Sequence, residues 1–189
     1  KRVCLGDIVG YGVDPNPVTQ WIRENCQIVL GGNHDFAIIG KTDTSYFNPY
    51  ALKACIWTRN ELNLANREYL KSLGAKWVED DITWAHSSPF EPEEWHYIVS
   101  ADHGQVNFQH FHNRLCFVGH SHIPLILEQN PGGKIEAHFE TEYRLKPENR
   151  YIINVGSLGQ PRDNNPDPAF VVYHSERDSV QFYRFSYDF

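Results

Sequence analysis

Apolar and polar positions follow two regimes along the chain, and the switch between them predicts the architecture. Up to Gly74, short apolar runs alternate with longer stretches of helical spacing. "RVCLG" reads as a short strand ending at Gly6 and Asp7, and "QIVLGG" as the next strand. Between them, Val18, Trp21 and Ile22 recur at helical spacing, and Asn16 with Pro17 supplies an N-cap and a first-turn proline. Asn48 and Pro49 open a second helix the same way, with Ala51, Leu52, Cys55, Ile56 and Leu62 as its predicted apolar stripe. "NLANREYLKSLG" is a third, short helix closing at Gly74.

From Lys76 onward the runs are of strand length: "KWVED", "ITWAH", "LCFVGH", "LILEQ", "KIEAHFE", "YIINVG", "AFVVYH" and "VQFYRF". One helix is predicted within "EWHYIVSADHGQVNFQHFHN", and "NPGG" is a hairpin turn between two strands. Strands alternating with helices early, then strands in succession, predict an α/β fold with two packed sheets flanked by helices, in a single domain over residues 1–189.

Composition narrows the classes. Hydrophobic residues make up 41% and charged residues 22%, which fits a soluble globular protein, and no apolar run reaches membrane-spanning length. A net charge of -7 argues against a nucleic-acid binder, which needs a basic face. Cys4, Cys26, Cys55 and Cys116 form no C-x-x-C pair and read as small buried thiols, which suits a reducing cytoplasm. Methionine is absent and the chain opens inside a strand, so an upstream segment is expected.

The chemistry gathers where strands end. "VCLGD" ends in Asp7, "VLGGNHD" in Asn33, His34 and Asp35, "ITWAH" in His86, and "LCFVGHSH" in His120 and His122. In α/β sheets the carboxyl ends of strands are where ligands bind. Carboxylate and amide oxygens mixed with imidazole nitrogens suit manganese, iron, zinc or nickel rather than calcium or a thiolate zinc site. A shared carboxylate can hold two such ions, which together acidify a water and clamp a phosphoryl oxygen. Gly156 in a backbone nest and Arg162 as a clamp are further candidates for phosphate binding, set against a plain structural turn. Tyr11 and Trp95 are candidate walls of a cleft, set against ordinary packing. His96, His103, His110, His112, His138 and His174 carry no motif and read as surface or capping residues.

"GDIVGYG", "GNHD", a histidine after a strand and "GHSH", in that order, resemble the calcineurin-like metallophosphoesterases, and "NVGSLGQPRDNNPDPAFVVY" is similar to the end of the smaller bacterial and archaeal members. The resemblance implies a four-layer αββα sandwich and metal-dependent hydrolysis by a metal-bridging hydroxide. It implies Asp7 as the bridging carboxylate, Asn33, His86 and His120 as further ligands of one ion, and His122 as a ligand of the other. It implies two divalent transition-metal ions, manganese first and iron, zinc or nickel as alternatives. His34 then corresponds to the catalytic histidine, with Asp35 orienting its ring. No Asp-x-His occurs in the chain, so the family's first strand, which completes the second metal site, is expected upstream. The expected substrate is a small phosphodiester or phosphomonoester. Diadenosine tetraphosphate hydrolase, protein phosphatase and a non-catalytic scaffold are the alternatives, and the oligomeric state is open.

Overall fold

A computed structural model describes residues 1–187, and the chain divides into two compact units, Lys1–Ala75 and Lys76–Phe189. The first unit pairs two short parallel strands, β1 (Val3–Cys4) and β2 (Ile28–Val29), and carries four helices: α1 (Pro15–Asn25), α2 (Asn33–Ile38), α3 (Pro49–Glu61) and α4 (Leu64–Lys71). Its core gathers Val9, Ala37, Ile38, Cys55, Leu62 and Leu70.

The helix starts follow capping chemistry. The Asn48 side chain accepts from the N–H groups of Tyr50 and Ala51, and Asn63 caps α4 through Asn66 N–H. Helix α1 departs from expectation. It begins at Pro15, two residues before Pro17, because a proline at the first position needs no N–H partner. Asn16 is thereby released from capping. Its amide donates to Glu61 O and its oxygen accepts from Asn63 N–H, which ties α1 to the α3–α4 turn. The predicted α3 stripe also needs correction. Ala51, Cys55 and Thr58 are its buried face, continued by Leu62, whereas Leu52 and Ile56 are 37% and 52% exposed.

The second unit holds a six-stranded mixed sheet in the order β3-β4-β5-β9-β6-β7, made of Lys76–Glu79, Ile82–Ala85, Leu115–Val118, Arg150–Asn154, Leu125–Gln129 and Ile135–His138. A second sheet, β10-β11-β8, joins Ala169–His174, Ser179–Arg184 and Glu142–Arg144. Strand β8 escapes sequence reading because "EYR" is short and polar. The "NPGG" turn joins β6 to β7 as expected, with Gly133 N–H donating to Asn130 O.

Strands β4, β5 and β9 run parallel and are nearly continuous in apolar residues because both faces are covered. One face sends Cys116, Val118, Leu125, Leu127 and Ile152 against Ile98, Phe108 and Phe111, which surround helix α5 (Ala101–Asn107). The other faces the small sheet, with Phe117 against Tyr173 and Tyr143 against Tyr151. Among the described residues no helix is long and apolar enough to cross a membrane.

Glu128 is buried between these sheets at 3% exposure and is saturated with donors. Asn149, Tyr151, Tyr143 and Lys146 all donate to it, and His138 Nε2 lies 3.1 Å away. His138 is therefore part of a buried network rather than a plain surface residue. Burial pushes the Glu128 carboxyl up, but its donors outweigh burial and hold it at about 2. A depressed folded pKa contributes stability above the unfolded value of about 4.3, and that contribution is lost as pH falls towards 2. Denaturant unfolding of the wild type should therefore weaken between those pH values. Glu128→Gln should cost roughly 1–3 kcal/mol at neutral pH and flatten the acid limb. An unchanged acid limb in the variant would place the acid sensitivity elsewhere.

Candidate functional site

Each unit presents a cluster of polar side chains where parallel strands end. In the first, the chain leaves β1 through Gly6 into Asp7, which sits at φ 52, a backbone region most residues avoid. Helix α2 starts just past β2, so Asn33 is its first residue and His34 its second. Asp7 Oδ1 accepts from the His34 backbone N–H at 3.0 Å, joining the two strand ends. The anion is thus placed at a helix start, where N–H donors favour it.

Asp35 is fully buried, and its carboxylate serves the main chain. It accepts from Ile8 N–H at 3.3 Å, Val9 N–H at 3.1 Å and Gly32 N–H at 2.8 Å. Burial, with the Asp7 charge beside it, pushes its pKa up from the usual carboxylate range, and the three N–H donors oppose this. The carboxylate locks the loop after Asp7 onto the start of α2. The His34 imidazole lies between two aromatic rings, Tyr11 at 5.0 Å and Phe47 at 5.2 Å between centroids.

In the second unit three adjacent parallel strands deliver the groups. His86 follows β4, Gly119 to His122 follow β5, and Asn154 ends β9. His86, His120 and His122 are all buried, and His120 and His122 both have positive φ, at 61 and 60. Strain of this kind, held in place by the surrounding structure, is typical of functional sites.

Carbonyl oxygens set the histidine tautomers. His120 Nε2 lies 2.9 Å from Trp95 O, and a carbonyl only accepts, so Nε2 carries the proton and Nδ1 of the neutral ring offers a lone pair. That Nδ1 lies 3.2 Å from His86 Nε2. Two metal bonds of about 2.1 Å meeting at tetrahedral or octahedral angles put their nitrogens about 3.0–3.4 Å apart, so this pair fits a shared cation. His122 Nδ1 donates to Gln160 O at 2.6 Å, which makes Nε2 the acceptor nitrogen of that ring. Imidazole donors suit a divalent transition metal such as zinc, iron or nickel.

Asn154 organises the loop that carries His120 and His122. Its amide donates to Gly119 O at 2.7 Å and Ser121 Oγ at 2.8 Å, and its oxygen accepts from Gly156 N–H at 3.1 Å. The Gly156 N–H is therefore engaged within the protein. Gly156 is required on steric grounds, because at φ 79 an added Cβ would lie 2.8 Å from Ala169 Cβ and 2.9 Å from Pro124 Cγ. Arg162 is exposed and donates to the Gln160 side chain at 2.8 Å, while its own N–H donates to His122 O. Both residues shape the turn beside His122.

Sequence reasoning missed Asn154, Gln160 and the role of Trp95. Trp95 is buried, holds His120 through its carbonyl and packs its ring against His86 at 5.8 Å. Its positive φ of 58 turns that carbonyl towards His120, and no side-chain pattern encodes such an acceptor.

A model of the calcineurin-like phosphoesterase family matches residues 3–124 of the chain. Over 194 aligned residues the chain is 36% identical to an uncharacterized protein of Methanocaldococcus jannaschii, covering all of this chain and 76% of that one. It is similar to a metallophosphoesterase from Sphaerobacter thermophilus, with 37% identity and a TM-score of 0.84 over 97% of this chain and 76% of the other. A hypothetical protein from Pyrococcus horikoshii shares the fold at 18% identity, with a TM-score of 0.76 over 98% and 75% of the two chains.

Asn154→Ala should strand the Gly119 carbonyl and the Gly156 N–H, at about 1–3 kcal/mol for each buried group left unpaired. Calorimetric titration with manganese should show affinity reduced roughly 10–100-fold, the usual consequence of losing a residue that supports ligands. Wild-type affinity in a folded variant would show that the loop holds its shape without Asn154.

Proposed function

The chain belongs to the calcineurin-like phosphoesterase family, and on that premise we propose that it hydrolyses a small phosphodiester or phosphomonoester with His34 assisting the leaving group. Family membership implies metal-dependent phosphoester hydrolysis. The observation that supports the metal-dependent part of this reading is the His86–His120 pair, whose nitrogens lie 3.2 Å apart with the His120 tautomer set by Trp95 O.

In this reading Asp7 and Asn33 of the first unit, and His86, His120 and His122 of the second, would serve as ligands of divalent ions. Manganese is the favoured metal, with iron, zinc or nickel as alternatives. When bound, the ions supply positive charge to the phosphoryl oxygens and acidify the attacking water. The chain's own groups do the rest. His34 contacts the phosphate and gives a proton to the leaving oxygen. Asp35 keeps Asp7 and His34 in register by holding the backbone at Ile8, Val9 and Gly32. Retention of an imidazole after Asn33 favours an enzyme over a scaffold of the same fold. The free thiols at Cys4, Cys26, Cys55 and Cys116 support a reducing compartment such as the cytoplasm.

A panel of mono- and diesters assayed with each metal tests the reading directly, and inactivity on all of them with metal bound would refute it. Asp7→Ala should lower both metal content and activity, whereas His34→Ala should keep the metal. Equal metal loss in the two variants would overturn the role assignment. Acid assistance matters most for poor leaving groups, so His34→Ala should damage an alkyl ester about 10–100-fold more than a nitrophenyl ester. The same loss on both esters would assign His34 to phosphate binding instead.

A further inference from the structure

The His34 side chain is 8% exposed and is bounded on three sides within the first unit. The Tyr11 ring lies 5.0 Å from it at 53°, and the Phe47 ring lies 5.2 Å from it at 47°. The third boundary is the backbone of Gly10. At φ 147, a Cβ added there would lie 3.0 Å from His34 Nδ1 and 3.2 Å from its Cβ and Cγ, so the backbone of Gly10 packs tightly against the ring.

The boundaries are themselves anchored. Thr58 Oγ1 donates to Gly10 O at 3.0 Å, which fixes that backbone to α3. Phe47 packs against the core cluster of the unit, and its N–H donates to Thr44 O at 3.0 Å. Tyr11 is different, being 40% exposed and placed one residue beyond the anchored Gly10. Phe47 is a fixed inner wall, and Tyr11 is an outer wall that can be removed without opening the core.

We propose that Tyr11 and Phe47 form an aromatic clamp that sets the plane of the His34 imidazole, with Tyr11 a positioning residue for proton delivery to the leaving group. Proton transfer needs the imidazole within hydrogen-bond reach and correctly aimed, and an imidazole free to rotate about its side-chain bonds meets that condition only part of the time. Tilted ring contacts on both sides remove that freedom without using either ring nitrogen. The clamp as a catalytic device rests on the assignment of His34 to the leaving group made above.

The test uses Tyr11→Ala and Tyr11→Phe. In zinc-loaded protein, NMR should find the His34 ring protons displaced from ordinary histidine positions by the two ring currents. Tyr11→Ala should move them towards those positions, and Tyr11→Phe should not. On an alkyl phosphoester, Tyr11→Ala should lower kcat about 10-fold or more with KM held within about two-fold, since misalignment acts on the chemical step. The loss should be smaller on a nitrophenyl ester, and Tyr11→Phe should restore kcat. The clamp is overturned if the His34 resonances do not move in Tyr11→Ala, if KM rises with kcat unchanged, or if Tyr11→Phe is as defective as Tyr11→Ala. A wild-type protein that hydrolyses neither ester would sink the functional reading, while the NMR comparison would still decide whether the clamp holds the ring.

Discussion

A strand end that presents coordinating side chains must leave its ladder without stranding its own N–H and C=O groups, and the polar cluster of each unit is shaped by that constraint. In the first unit the Asp35 carboxylate meets it, accepting three main-chain N–H groups from Ile8, Val9 and Gly32. In the second unit Asn154 meets it, bridging Gly119 O and Gly156 N–H with one amide. Neither residue need touch a substrate. Each converts a turn that would otherwise be soft into a fixed platform, because a buried unpaired backbone group is costly.

The same constraint explains where strain is tolerated. Asp7, Trp95, His120 and His122 all adopt positive φ, at roughly 1–2 kcal/mol each for residues with a side chain. Two apolar cores offset this, one around Leu70, Ile38 and Cys55 and the other around Val118, Leu127 and Ile152. Rigid strands that stop abruptly, followed by strained and fully bonded turns, hold side chains more closely than a mobile loop would.

Two buried carboxylates show how surroundings divide the roles of similar groups. Glu128 is ringed by side-chain donors, Lys146 among them, so it stays ionised and ties the two sheets of its unit together. Asp35 has only backbone donors and a neighbouring carboxylate in Asp7, so its charge is held less securely. The first is a structural pin between layers. The second pins the loop after Asp7 through main-chain donors.

The sequence by itself determined the α/β class, most of the elements and the strand ends rich in coordinating residue types. Those features are local: apolar periodicity, Asn-Pro helix starts and glycine beside coordinating residues survive in a linear text. It also located Asp7, Asn33, His34, His86, His120 and His122 by motif. The partners of those residues came only with tertiary structure. Trp95 and Gln160 act through carbonyl oxygens, which every residue possesses, so nothing in their identity marks them. Asp35 reads as a partner for the adjacent imidazole, yet the carboxylate is drawn to N–H groups some 27 positions away in the chain. Leu52 and Ile56 fit a helical stripe, but α3 presents a neighbouring face to the core, the one on which Thr58 Oγ1 donates to Gly10 O. Periodicity fixes which residues share a face. Which face is buried, and which backbone atom fixes a side chain, is decided by contacts between segments distant in the chain.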